Sequence, residues 1–134
     1  MKIHNPSSIY PPLSSYSHAL EVAPNARWLL VSGQVGVAPD GKVPKGFREQ
    51  CELAWSNLDE VLKSGGMGIG HLAKITIYLI REQDLQVFRE IRDRYLDGHR
   101  PASTLLFISA LARPDWLIEI EAVAAQSQRD ELDG

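Results

Sequence analysis

Near the end of the chain, Glu119 and Glu121 stand two residues apart in the run Leu117-Ile118-Glu119-Ile120-Glu121-Ala122-Val123. Successive side chains of an extended strand point to opposite faces. The two carboxylates therefore share one face, and Ile118, Ile120 and Ala122 share the other. Such a face is either the solvated outside of an antiparallel sheet or the lining of a subunit cleft, where a partly dehydrated carboxylate orients or deprotonates a water. A cation stands on a second element. Arg92 falls on the helical stripe of Leu85, Phe88, Tyr95 and Leu96. A guanidinium on an apolar stripe either snorkels its head to water or meets an anion, because an unpaired buried charge is costly. In the second case its fork of donors suits a substrate carboxylate.

Other patterns point away from chemistry. Gly65-Gly66-Met67-Gly68-Ile69-Gly70 has the glycine content of a phosphate loop but the opposite polarity. A phosphate loop follows a strand and opens a helix, whereas these glycines close a helix and lead into a strand. His4, His18, His71 and His99 are scattered without ligand spacing, and Cys51 has no histidine at a zinc-like interval, so no metal site is expected. Ser32-Gly33-Gln34 lacks both the glycine two before the serine and the helix directly after it that a nucleophile elbow needs.

The positioning elements follow from periodicity and turn residues. The arm 1–17 holds Pro6, Pro11, Pro12 and five serines, which break helix and sheet patterns alike. Residues 19–23 and 28–33 suit strands, and the turn Pro24-Asn25-Ala26-Arg27 between them predicts a hairpin. Phe47, Cys51, Ala54, Trp55, Leu58, Val61 and Leu62 recur at helical spacing. The β-branched run 71–80 reads as a central strand, and Asp84 is placed to cap a second helix over 85–96 with its carboxylate. Two more strands, 103–109 and 116–124, are joined by a turn containing Arg113-Pro114-Asp115, and a polar tail, 126–134, follows. The order ββ-α-β-α-ββ predicts an α+β domain, a mixed sheet with two helices on one face.

At 134 residues the chain is the size of one domain, 1–134, with a core that needs no staples. The lone Cys51 forms no internal bridge and fits a reduced, cytoplasmic setting. With 14 basic against 17 acidic side chains and a net charge of −3, nucleic acid is a poor partner. No apolar run reaches the roughly 20 residues of a membrane helix, so no membrane partner is expected.

Taken in order, Tyr16-Ser17-His18-Ala19, Leu30-Val31-Ser32-Gly33-Gln34, Ala54-Trp55-Ser56-Asn57-Leu58, Ala73-Lys74-Ile75-Thr76-Ile77-Tyr78-Leu79, Arg100-Pro101-Ala102-Ser103-Thr104 and Ile118-Glu119-Ile120-Glu121-Ala122-Val123-Ala124 resemble the RidA (reactive intermediate deaminase A, also YjgF) family over about residues 14–125. The resemblance implies a chorismate-mutase-like fold and a homotrimer whose sheets form a central barrel, with sites in the clefts between subunits. It also implies cofactor-free hydrolysis of reactive enamines and imines, such as 2-aminoacrylate, to a keto acid or other carbonyl product and ammonia. A trimer that binds a small metabolite with a C=N or C=O group without turnover is the alternative. Some family members carry an endoribonuclease label, which sits badly with the acidic balance here.

Carried over by position, Glu119 matches the water-orienting glutamate and Tyr16 the aromatic residue that closes the pocket. Ser32 and Gly33 match pocket-lining residues. Ser103 is a departure, because active deaminases of the family place a carboxylate-gripping arginine there. A serine hydroxyl is too short and neutral to replace it. Arg92 stands where the family commonly has a pocket asparagine, so Arg92, or else Arg100, is expected to supply the missing charge. Leu105 replaces a frequent cysteine, which argues against a thiol role at that position.

Overall fold

A computed structural model describes residues 1–127 of the chain. The elements are β1 (Lys2–His4), β2 (Ala19–Glu21), β3 (Arg27–Val35), α1 (Phe47–Ser64), β4 (Leu72–Leu79), α2 (Leu85–Leu96), β5 (Ala102–Phe107) and β6 (Ile118–Gln126). The main sheet has the order β3-β6-β4-β5 and is mixed, since β4 pairs parallel with β5 and antiparallel with β6. The parallel pair requires a crossover, and α2 provides it. β4 is interior, as its β-branched run predicts.

The alternation of buried and half-buried residues over 73–79 of β4 and 118–124 of β6 separates two faces of the sheet. Ile75, Ile77, Ile118 and Ile120 are fully buried on one face beneath the two helices, with Trp55, Leu58 and Leu62 of α1 and Phe88 of α2. Trp55 stacks between Phe88 and Tyr95, with ring centroids 6.5 and 5.6 Å away. Glu119 and Glu121 occupy the other, open face. There Leu30 is 77% and Trp28 56% exposed.

Three expectations need correction. Residues 19–23 and 28–33 do not form a hairpin. β2 instead pairs with β1 of the N-terminal arm, while β3 pairs with β6. The turn signal at Pro24–Arg27 is real, but it redirects the chain between two sheets. Turn residues report a change of direction and not the partner of each strand. The arm is correspondingly structured, with His18 donating its backbone N–H to Asn5 Oδ1 at 2.7 Å. Asp84 precedes α2 but makes no side-chain cap; its carboxylate accepts both Nε and Nη2 of Arg81, at 2.8 and 2.9 Å. A bidentate charged partner outcompetes neutral helix amides for the same oxygens. Gln126, the expected start of the polar tail, ends β6, and the rest of that tail from residue 128 lies outside the described residues.

The glycine run behaves as its polarity predicts. Gly65 N–H bonds back to Leu62 O at 3.0 Å, and Gly66 takes a φ of 73° as α1 ends. Two side-chain amides, one buried and one half-buried, then set the strand ends near the carboxylates. Gln50 is 1% exposed; its Nε2 donates to Pro44 O and Asp115 O, and its Oε1 accepts Leu117 N–H at 2.9 Å. Asn57 Nδ2 donates to Val35 O and Val37 O, at 2.9 and 3.0 Å, fixing the end of β3.

Cys51 is fully buried in α1, and burial, with Glu52 adding to it, pushes its thiol up to about 12 from an ordinary value of 9.0. The folded chain therefore holds this proton more tightly than the unfolded chain. The stabilisation from that difference is present below pH 9 and is lost as pH rises from there toward 12. Alkylation of Cys51 at pH 8.5 is expected only in denaturant. The thermal midpoint is expected to fall above pH 9 more steeply in the native chain than in Cys51→Ala. Fast labelling of the folded protein contradicts this.

Candidate functional site

β3 and β6 keep register from Arg27↔Gln126 to Val31↔Ala122 and resume at Gln34↔Ile120, which leaves one extra residue in β3. That bulge contains Ser32 and Gly33. Bulges re-aim side chains, and this one brings Gly33 against Glu119. A Cβ on Gly33 would land 2.7 Å from Glu119 Cγ and closer still to its carboxylate. The bare backbone here is what lets the glutamate lie over the strand. Gly36, just beyond β3, has a similar constraint, since a Cβ there would stand 2.6 Å from Gln50 Cα.

The two carboxylates differ in their surroundings. Glu121 accepts the Tyr78 hydroxyl, and that bond, with burial and the charge of Glu121 behind it, raises the phenol above its ordinary range. Glu119 is the register partner of Tyr78 on the same face but has no hydrogen-bond partner among the described residues. Its oxygens are thus open to a water or a ligand. The open face also carries a shallow hollow of about 200 Å3 lined by Lys74, Thr76, Glu121, Ala122 and Val123.

A second hollow of about 260 Å3 lies between the arm, α2 and β5. Tyr16, Arg92 and Ser103 all line it, together with Leu13, Ser14, Leu85, Arg89 and Leu105. Ser17 pins the arm in place by donating its hydroxyl to Arg100 O at 2.5 Å and its N–H to Pro101 O at 3.1 Å. Tyr16 accepts Leu13 N–H at its phenol oxygen, at 3.1 Å, which closes a tight loop over the hollow. Arg92 is 5% exposed, so it does not snorkel. Its Nε donates to Asp93 at 2.9 Å, its Nη2 to Ser14 Oγ at 2.6 Å, and its guanidinium carbon lies 5.7 Å from the Phe88 ring centroid. Nη1 is left without a partner among the described residues. Arg100 is exposed and lines a different hollow, with Asp93 and His99.

The six residues singled out in the sequence therefore fall into two groups. Ser103 is the register partner of Ile75 and lies on the helix side of the sheet, whereas Glu119 is the partner of Tyr78 on the open side. Tyr16, Arg92 and Ser103 form one group; Glu119, Gly33 and the exposed Ser32 form the other. One subunit does not bring them together. Sequence reasoning missed Ser14, Arg89 and Tyr78. Arg89 was accessible as the residue one turn before Arg92, but Ser14 sits in an aperiodic arm and Tyr78 meets the carboxylates only through strand register.

Among the described residues no cluster of three or more His, Cys, Asp or Glu could hold a metal ion, and no helix is long and apolar enough to cross a membrane. The family model described as Endoribonuclease L-PSP matches residues 7–126. The chain belongs to the RidA/YjgF family. A mouse relative named 2-iminobutanoate/2-iminopropanoate deaminase is 36% identical over 116 residues, 85% of this chain and 83% of that protein. A RutC family protein of Pyrococcus abyssi is 30% identical, over 84% of this chain and 87% of its own. The crystal structure of a Rid family protein, YyfB from Yersinia pestis, superposes with a TM-score of 0.84 at 28% identity, covering 93% of this chain and 98% of that one. The RidA-family fold of two helices on one face of a mixed sheet is thus shared along nearly the whole chain.

The bulge makes a direct prediction. Gly33→Ala collides with the far end of a flexible side chain, so it is expected to cost at most about 1 kcal/mol of stability. It nevertheless displaces the Glu119 carboxylate, and its loss of turnover is expected to approach that of removing Glu119. Unchanged turnover of 2-iminopropionate in Gly33→Ala would show that the placement of the carboxylate over the bulge is irrelevant.

Proposed function

We propose that the protein hydrolyses the C=N bond of 2-imino acids, giving a 2-keto acid and ammonia, at sites shared between the subunits of a homotrimer. The observation that carries the reading is Arg92. It is a buried guanidinium lining a hollow with Tyr16 and Ser103, and it has donors to spare. Unlike the asparagine or arginine patterns of the family, this arrangement brings the positive charge from α2, with the Ser103 hydroxyl as a neutral neighbour on β5.

The chemistry needs little more. The imine carbon is already electrophilic, so holding the carboxylate places that carbon and limits what remains to water addition and proton transfer. Glu119 takes a proton from the attacking water and passes it to the imine nitrogen, giving a neutral carbinolamine. The hydroxyl proton of that intermediate then moves to nitrogen by way of the same carboxylate as the C–N bond breaks, so ammonia leaves and the carbonyl forms. No electron transfer is involved, so the residues in hand are sufficient for each step. The names of the mouse, rat and human relatives, all 2-iminobutanoate/2-iminopropanoate deaminases, support this class of substrate.

Because Glu119 and the Arg92 hollow lie on opposite faces of the sheet, the reading requires a second copy to carry its Glu119 to the hollow. The exposed Trp28 and Leu30 on the open face supply apolar surface for that contact. The net charge of −3 favours a small-molecule substrate over nucleic acid. The test is conversion of freshly generated 2-iminopropionate to pyruvate and ammonia by the purified protein, with its mass in solution measured by light scattering. Turnover by a trimer is expected; a monomer, or a trimer that binds the product analogue but never accelerates hydrolysis, overturns the reading.

A further inference from the structure

The hollow between the arm, α2 and β5 contains more positive charge than one carboxylate uses. Arg89 stands three residues before Arg92 on α2 and lines the same hollow from its exposed rim. Residues three apart on a helix are surface neighbours, with Cβ atoms about 5–6 Å apart. The two guanidiniums therefore face one space at different depths.

Their partners differ. Arg92 is steadied by Asp93 and Ser14, but the Asp93 side chain is 51% exposed and is not part of the lining. Arg89 makes no hydrogen bond or ion pair among the described residues, and its neighbour Glu90 is turned to Arg48 at 3.2 Å. No acidic side chain lines the hollow. A monocarboxylate held by Arg92 leaves the charge of Arg89 unmatched. A second carboxylate a few carbons away would match it, and Leu85 and Leu105 give the connecting methylenes an apolar wall.

Resting on the imine-hydrolase reading above, we propose that Arg89 determines specificity and makes the hollow select 2-imino dicarboxylates. Arg92 holds the carboxylate beside the C=N group and Arg89 the distal one. The balance of the reaction is unchanged, since the distal carboxylate takes no part in bond making.

The test separates binding from turnover. Glutarate and butyrate, which differ by one carboxylate, are titrated calorimetrically into the native protein and Arg89→Gln at physiological ionic strength. Glutarate is expected to bind at least tenfold more tightly to the native protein. In Arg89→Gln that ratio should fall to within twofold of unity while butyrate binding stays within twofold of native. In parallel, 2-iminoglutarate and 2-iminopropionate are generated in situ and their hydrolysis compared. The native protein should favour the diacid in kcat/KM by a similar factor, mostly through KM, and Arg89→Lys should keep most of that preference.

Equal binding of the two acids by the native protein, or a preference that survives Arg89→Gln, overturns the proposal. So does weakening of both acids alike in the variant, which would mean a general rather than a distal contact. Hydrolysis of 2-iminopropionate without diacid preference defeats the proposal and leaves the imine-hydrolase reading standing. Diacid-selective binding without hydrolysis of either imine does the reverse.

Discussion

Glu119→Ala is expected to lower the hydrolysis of 2-iminopropionate by about 10²–10⁴-fold, the usual worth of a positioned general base. Glu121→Ala, two residues away on the same face, is expected to lose less than tenfold. The difference arises from their partners. Glu121 is occupied by the Tyr78 hydroxyl, whereas Glu119 lies over the bare backbone of Gly33 with no hydrogen-bond partner among the described residues. An oxygen already accepting a phenol proton is a poorer acceptor for water. Both glutamates are half-buried on the open face and neither is part of the core, so each variant should melt within a few degrees of the native protein. The loss in Glu119→Ala should appear in kcat with little change in KM, since in the proposed mechanism the carboxylate acts on the water and not on the substrate acid. Equal losses in the two variants would mean that the face as a whole matters, through assembly or net charge. An unaffected Glu119→Ala would remove the glutamate from the mechanism.

The same pair shows how far the sequence could be read. Alternation alone placed Glu119 and Glu121 on one face, because the period of a strand is two and the alternating Ile118 and Ile120 are fully apolar. It could not tell them apart, because what distinguishes them is a bulge in β3 and a tyrosine on β4, both non-local. Likewise the stripe on α2 placed Arg92 beside Phe88 and Tyr95, and it stands there, buried. Whether it snorkels depends on Ser14, a residue in an arm with no periodicity, brought over α2 because Ser17 is tied to Arg100 and Pro101. The hairpin expectation failed for a related reason. Local turn chemistry was legible, but the partner of β3 is β6, nearly a hundred residues later, and pairing at that distance is chosen by burial of Val31 against Ala122. Asp84 failed locally, because Arg81 three residues earlier claims both its oxygens.

Arg92→Gln is expected to weaken the apparent affinity for a 2-imino acid by about 10–100-fold, since hydrogen bonds to charged groups are worth roughly 1.5–3 kcal/mol each. The effect should fall chiefly on KM. Its former partner Asp93 is half-exposed and is solvated on losing the guanidinium, so the fold should tolerate the change, and Arg92→Lys should recover charge but not the fork of donors. The sharper consequence comes from combining the two variants. Within one subunit Glu119 and the Arg92 hollow face opposite sides of the sheet, so the proposed site would need Arg92 from one copy and Glu119 from another. With substrate well below KM, Glu119→Ala and Arg92→Gln chains are each expected to be nearly inactive alone. Co-expressed in equal amounts they assemble at random, and about a quarter of the shared sites then draw an intact Arg92 and an intact Glu119 from different copies. Recovery to roughly that fraction of native turnover is expected. Chains whose sites were complete within one subunit would recover nothing on mixing, because every copy would still lack one of the two groups.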